Sequence, residues 1–169
     1  GQVWRVPYQQ RAGEARLWAE AHHIQHASQD SKKIALLLVD VQNTFCLPEF
    51  ELYVAGRSGS GAIDDNRRLA GFIYRNLHRI SNITLTMDTH QAVQIFHSIY
   101  LVDDRGRHPE PMTLVTAEDI TSQRWRFNPA IASSLNIRPE YGQEQLLHYT
   151  RQLQANEKYD LMIWPYHAM

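Results

Sequence analysis

The sequence predicts an α/β fold with a parallel sheet, because apolar strand-like runs alternate with amphipathic helical segments. The apolar runs at 34–39 and 83–87 each end at an aspartate, and a third run at 161–164 leads to a histidine. Such runs are typical of strands buried on both faces of a parallel sheet, joined by right-handed helical crossovers. With 169 residues, the chain is expected to form one domain around a single core.

The first half of the chain reads as helix, strand, loop, helix and strand. Residues 11–25 have a face formed by Ala15, Trp18, Ala19 and His22, and belong to a predicted N-terminal helical extension at 1–32. The strand at 34–39 leads into a loop at 46–61 that is rich in glycine and serine. The clearest amphipathic helix covers 63–79, where Asp64 and Asp65 suit a helix N-terminus.

The second half has one further helix and the third predicted strand. Residues 101–118 read as mixed loop, and residues 119–140 show no clear period. A helix is predicted at 141–155, with Leu146, Tyr149, Thr150 and Leu153 on one face. The strand at 161–164 follows it.

Composition and charge argue against several classes of partner. The 17 basic and 18 acidic residues give a net charge of −1 without a long run of one sign, so neither nucleic acid nor membrane is expected as a partner. No apolar stretch reaches the roughly 18 residues of a membrane span. Cys46 is the only cysteine, so an internal disulfide is excluded and a cytoplasmic protein is expected.

Three candidate functional segments come at the ends of the predicted strands. Asp40 follows the first strand, Asp88 and His90 follow the second, and His167 follows the third. The carboxyl ends of parallel strands form the edge at which open α/β sheets bind ligands. We therefore expect the four side chains to meet around one cleft.

Each of these residues has an ordinary structural interpretation beside the chemical one. Asp40 is interpreted as a general base, an ion-pair partner or a helix cap. Asp88 and His90, at i and i+2, share one face of an extended strand and suit zinc, iron or manganese, but such residues also cap helices. His97 is interpreted as a further ligand or as a group that orients one. Cys46 is interpreted as a packing residue or a nucleophile.

Together these segments resemble the cysteine hydrolase superfamily that contains the nicotinamidases and isochorismatases. The first motif of that family matches Asp40-Val-Gln-Asn-Thr-Phe45, including the aspartate, the glutamine and the phenylalanine. The Asp-x-His metal motif of the nicotinamidase branch matches Asp88-Thr-His90, and a later His-Ser matches His97-Ser98. The Trp-Pro-x-His motif matches Trp164-Pro-Tyr-His167.

The resemblance implies a parallel three-layer α/β sandwich and hydrolysis of a small amide such as nicotinamide through a thioester. It assigns Asp40 as the catalytic base and Asp88, His90 and His167 as ligands of a divalent metal, with zinc preferred over iron or manganese. It places a further set around the metal or in the substrate pocket: Phe45, His97, Trp164 and Tyr166. It also implies a homo-oligomer, and the spacing between the motifs implies an insertion at 119–155.

The resemblance also implies residues that this sequence does not match. The family's lysine and nucleophilic cysteine follow the Trp-Pro-x-His segment, so both are expected beyond residue 169, in an α/β domain that continues there. Cys46 has a counterpart in many members, where it is not the nucleophile. Two alternatives remain open: an isochorismatase-like hydrolase without metal, and an inactive relative that serves as a binding or regulatory subunit.

Overall fold

The computed structural model describes residues 5–169, and within that range it is a mixed α/β protein with short strands. The helices are α1 (Tyr8–Ala21), α2 (Asn43–Cys46), α3 (Gly61–Asn76), α4 (Ala117–Thr121) and α5 (Pro139–Ala155). The strands are β1 (Ala35–Leu38), β2 (Asn82–Leu85), β3 (Leu101–Val102), β4 (Leu114–Val115), β5 (Arg126–Phe127) and β6 (Leu161–Met162). None of the helices in residues 5–169 has the length and apolar character to cross a membrane.

The chain divides into two compact units. The first unit comprises the residues up to Cys46 together with Val54–Met87, and holds α1, α2, α3, β1 and β2. The second unit comprises Leu47–Tyr53 and Asp88–Met169, and holds the other strands with α4 and α5. The predicted extension at 1–32 contains α1, and its residues 1–4 lie outside the described part of the chain. The single hydrolase-type domain and the insertion at 119–155 stay predictions.

The first unit contains a parallel strand pair. β1 and β2 pair from Ala35 opposite Asn82 to Leu38 opposite Leu85, so the prediction of parallel pairing is confirmed for these two strands. The prediction that the first strand is buried on both faces is wrong, because Leu37 is 58% exposed although Leu38 is buried. The faces of a parallel sheet are buried by the helices packed on them, and neither α1 nor α3 in this unit has a buried residue.

The two long helices of the first unit form close to where the sequence predicts them. α3 begins at Gly61 rather than residue 63, and α1 occupies Tyr8–Ala21 rather than 11–25. Neither helix has a buried residue, so their predicted apolar stripes stay partly exposed to solvent. Helical periodicity therefore located these elements without determining how much of each stripe is covered.

The second unit has a contiguous hydrophobic core, in which α5 packs against the strands and α4. Its members are buried apolar side chains: Tyr100, Leu101, Val115, Ile120, Phe127, Ile131, Ala132, Leu146, Leu161 and Ile163. Helix α5 confirms the helix predicted at 141–155, and its Leu146 and Thr150 face inward. Tyr149, which was expected on the same face, is 39% exposed.

The third predicted strand does not join the parallel pair. β6 pairs antiparallel with β4, Leu114 opposite Met162 and Val115 opposite Leu161, so the prediction of a third parallel strand is wrong. β4 lies in a segment that was expected to be loop, because a two-residue strand is too short to show alternation. Beyond β6, Trp164 makes a single parallel bridge to His97.

Candidate metal centre

Asp88, His90 and His167 form one cluster in the second unit. Each offers one ligand atom, and these atoms all lie within 4.8 Å of one another. The Oδ2 atom of Asp88 is 2.8 Å from Nε2 of His90 and 3.3 Å from Nε2 of His167. The backbone N–H of His90 donates to the Ala168 carbonyl at 2.9 Å, which joins the two chain segments directly beside the cluster.

The hydrogen bond on the far side of His167 determines which of its nitrogens faces the cluster as an acceptor. Nδ1 of His167 lies 2.7 Å from the Pro165 carbonyl oxygen, and a carbonyl oxygen can only accept. Nδ1 therefore carries the proton, and in the neutral ring Nε2 presents a lone pair. This arrangement, with one nitrogen bonded to a backbone carbonyl, is typical of histidines that hold a metal.

The resulting geometry favours a positive charge between the ring and the carboxylate. A neutral His167 would direct the lone pair of Nε2 at Oδ2 of Asp88, which is also an acceptor. A metal cation held by both atoms removes that repulsion. His167 is only 5% exposed, so the attraction would act in a site with little solvent screening.

His97 lies beside the cluster and supplies a further buried nitrogen. Its ring centroid is 6.0 Å from those of both His90 and His167. Nδ1 donates to the Ala92 carbonyl at 3.0 Å, while Nε2 has no hydrogen-bond partner among the described residues. Burial lowers the pKa of His97, and His167 and His90 lower it further against the opposing hydrogen bond to Ala92. The ring is therefore neutral at pH 7, with its Nε2 lone pair available.

Aromatic residues pack around these histidines. The Phe96 ring meets the rings of His90 and His97 edge-on, with centroids 5.0 and 4.8 Å away. The Tyr166 ring lies 4.7 Å from that of His97, and the N–H of Trp164 donates to the Phe96 carbonyl at 2.8 Å. Packing on several sides restricts the imidazole orientations, so the nitrogen positions are set by the fold.

The donor set suits a divalent transition metal. Two imidazole nitrogens and one carboxylate oxygen are ligands that zinc, iron and manganese accept. His97 is not one of the three clustered ligands, although its ring packs beside theirs. The side chains of Asp88 and His90 are 23% and 18% exposed, so the cluster also has access to solvent. These residues could therefore hold a metal ion that keeps positions open for water or substrate.

Asp40 and Phe45 belong to the first unit. Asp40 follows β1 in a left-handed backbone conformation, with φ of 54°, and its side chain bonds to the Thr86 hydroxyl. Phe45 lies in α2, and its carbonyl accepts from the N–H of Val54 at 2.9 Å. Their catalytic and substrate-binding roles stay predictions.

Sequence reasoning missed two groups that hold candidate site residues in place. The Pro165 carbonyl orients His167, and the Thr86 hydroxyl bonds to Asp40. Backbone carbonyls leave no signal in a sequence. The position of Thr86, two residues before Asp88, becomes informative only once the parallel register of β1 and β2 is known.

Comparison with protein-family models, curated proteins and solved structures finds no match to this chain. Fold and site by themselves define a mixed α/β protein with a candidate histidine and aspartate metal centre.

Proposed function

We propose that the chain is part of a cysteine hydrolase of the nicotinamidase and isochorismatase type that hydrolyses a small amide such as nicotinamide. The observation that carries the proposal is the convergence of Asp88, His90 and His167, which come from two motifs far apart in the sequence. Residues that only cap helices are not expected to bring three ligand atoms within 4.8 Å of one another.

The motif that contains Asp40 and the fold give further support. β1 and β2 run parallel and lead to Asp40 and Asp88, as the strands of such a hydrolase would. In the proposed enzyme the pair is part of a three-layer α/β sandwich. The protein acts in the cytoplasm as a homo-oligomer, with a small amide rather than nucleic acid or membrane as its partner.

In the proposed reaction Asp40 is the general base for a cysteine nucleophile that is not among these 169 residues. Asp40 takes the thiol proton, and the thiolate attacks the amide carbonyl carbon. The C–N bond then breaks, ammonia leaves with the proton from Asp40, and the acyl group stays on sulfur as a thioester. Water hydrolyses the thioester to the carboxylic acid and restores the thiol.

The metal centre has a separate role in the proposal. Asp88, His90 and His167 would hold a divalent ion, preferably zinc, with His97 as a further ligand or as an orienting group. The bound ion would supply a Lewis acid for the pyridine nitrogen of the substrate or for a water. The Pro165 carbonyl keeps the Nε2 lone pair of His167 directed at that position.

Metal binding can be tested without any assay of activity. Zinc added to the full-length protein should raise its melting temperature, because a ligand at 100 times its Kd adds about 2.7 kcal/mol of stability. His167→Ala should abolish that rise, whereas His148→Ala, at an exposed position of α5, should keep it. Metal-independent turnover would instead support the isochorismatase-like alternative.

The role of Asp40 is tested by Asp40→Asn in the full-length enzyme. Asparagine tolerates the left-handed backbone of this position and can still accept from Thr86, so the fold should be kept. Loss of the base should lower kcat for nicotinamide about 10²- to 10⁴-fold. Normal turnover by this variant would refute the assignment, and an inactive but metal-binding wild type would point to the binding or regulatory relative.

A further inference from the structure

The parallel register of the first unit places Thr86 beside Asp40. β1 and β2 end with Leu38 opposite Leu85, and the N–H of Thr86 continues the ladder by donating to the Leu38 carbonyl at 2.9 Å. Asp40 follows β1 as Thr86 follows β2, so the two residues come together where both strands end. Their proximity is a consequence of strand pairing and does not depend on a flexible loop.

Two hydrogen bonds connect the Thr86 hydroxyl to Asp40. Oγ1 of Thr86 accepts from the backbone N–H of Asp40 at 3.1 Å and donates to Oδ1 of the same residue at 2.9 Å. One hydroxyl can do both, since it has one proton and two lone pairs. The backbone and the carboxylate of Asp40 are therefore held by the same side-chain atom.

The backbone of Asp40 needs such support. Its φ of 54° lies in the left-handed region, which costs free energy for a residue other than glycine and is tolerated best by aspartate and asparagine. The turn is completed by the N–H of Gln42, which donates to the Asp40 carbonyl at 2.9 Å. Uncommon backbone conformations persist where surrounding bonds enforce them, and they are frequent at active sites.

We propose that Thr86 is a positioning residue for Asp40, an inference that rests on the proposed hydrolase function. Its hydroxyl donates a hydrogen bond to Oδ1 and thereby restricts the orientation of the carboxylate. Oδ2 of Asp40 takes no part in the bond to Thr86, so the proposal assigns that oxygen to take the thiol proton. Thr86 thus selects which oxygen acts as the base and limits the rotation of the carboxylate away from its working orientation.

Thr84 of β2 provides a matched control two residues before Thr86. Thr84 and Thr86 are two residues apart, so they point to the same face, and both are exposed. The hydroxyl of Thr84 donates to Oδ1 of Asn82 at 2.8 Å and makes no bond to Asp40. Replacing either threonine by valine keeps the branched shape and removes one hydroxyl.

The test compares kcat and KM of the full-length Thr86→Val, Thr86→Ser and Thr84→Val enzymes with nicotinamide. Loss of one hydrogen bond to the base should lower kcat about fivefold to tenfold in Thr86→Val with KM unchanged. Thr86→Ser should recover most of the loss, and Thr84→Val should behave as wild type. Wild-type kcat in Thr86→Val, or an equal loss in Thr84→Val, would overturn the proposal.

A second measurement separates this inference from the proposed function. NMR couplings across χ1 of Asp40 should report one rotamer in the wild type and averaged rotamers in Thr86→Val, independently of turnover. An ordered Asp40 in that variant overturns the positioning role. Absence of turnover in the wild type overturns the hydrolase proposal and with it the catalytic use of Asp40, whatever the couplings show.

Discussion

The two compact units differ most in how they bury apolar side chains. In the second unit, Leu101, Leu146 and Ile163 have no exposed surface and belong to one continuous cluster. In the first unit, the strand that looks most hydrophobic in the sequence keeps Leu37 58% and Val39 61% exposed. The two units therefore differ in how many elements pack against their apolar side chains, and not in how apolar their segments are.

The two units also differ in the interactions that hold their elements together. The first unit has a four-residue parallel ladder and two long helices without a buried residue, so few of its apolar side chains are fully buried. The second unit uses strands of only two residues, which are ordered because they pack on a shared core. The candidate metal centre lies in the second unit, whose packing holds its imidazole rings in position.

The largest expected contrast comes from removing the same side chain in each unit. Leu146→Ala should lower the free energy of unfolding by about 2–5 kcal/mol, because the site is fully buried and leaves a cavity. Leu37→Ala should cost less than about 1 kcal/mol, since that side chain is mostly in water already. Hydrogen exchange of the amides of α5 and of β1 measures each unit separately. Similar losses in both would remove the contrast.

A smaller contrast is expected when a methyl group is added to a helical glycine in each unit. A Cβ on Gly142 of α5 would lie 2.6 Å from the Phe127 ring, whereas one on Gly13 of α1 would meet nothing within 4 Å. Gly142→Ala should therefore destabilise the protein by about 1–2 kcal/mol. Gly13→Ala should stabilise it by about 0.5–1 kcal/mol, as alanine is the better helix former.

Thermal unfolding of the two glycine variants gives the comparison directly. Opposite shifts of the melting temperature are expected. A stabilised Gly142→Ala variant would mean that the contact between α5 and Phe127 is looser than the structure shows.

The smallest contrast concerns two aspartates at helix N-termini. Burial alone would raise the pKa of Asp119, but the hydrogen bonds from Thr116 and the Arg124 guanidinium outweigh it and hold that pKa below its usual value. The Ser60 hydroxyl, with help from Arg67, lowers the pKa of Asp64. A lowered folded-state pKa means that each carboxylate stabilises the protein above about pH 4, with the effect lost as pH falls through the folded value.

Salt should weaken the stabilising contributions of the two carboxylates to different degrees. The Asp119 side chain is 14% exposed and that of Asp64 is 40% exposed, so 1 M KCl should weaken the contribution of Asp64 more. Stability curves of Asp119→Asn and Asp64→Asn between pH 2 and 7, at low and high salt, measure this. Equal salt sensitivity would show that the two carboxylates are equally accessible to solvent.

Much of the candidate site could be predicted from the sequence because its residues come in short motifs. Asp88-x-His90 places two ligand-type side chains at i and i+2, and the resemblance to the hydrolase superfamily implies that the histidine of the later Trp-Pro-x-His segment joins them. The tautomer of His167, and the Nε2 of His97 that has no hydrogen-bond partner within residues 5–169, could not be predicted, since both depend on backbone carbonyls placed by the fold. Thr86 was missed because its place beside Asp40 depends on the register of β1 and β2.

The sequence by itself determined helices α3 and α5 and the strand character of β1 and β2, since periodicity and apolar runs are properties of contiguous residues. Only the tertiary structure decided that β6 pairs with β4 and that Leu146 is buried while Leu37 is not. Burial and strand choice depend on partners distant along the chain. A two-residue strand makes too few interactions of its own to specify its partner, so packing against the surrounding core determines the pairing.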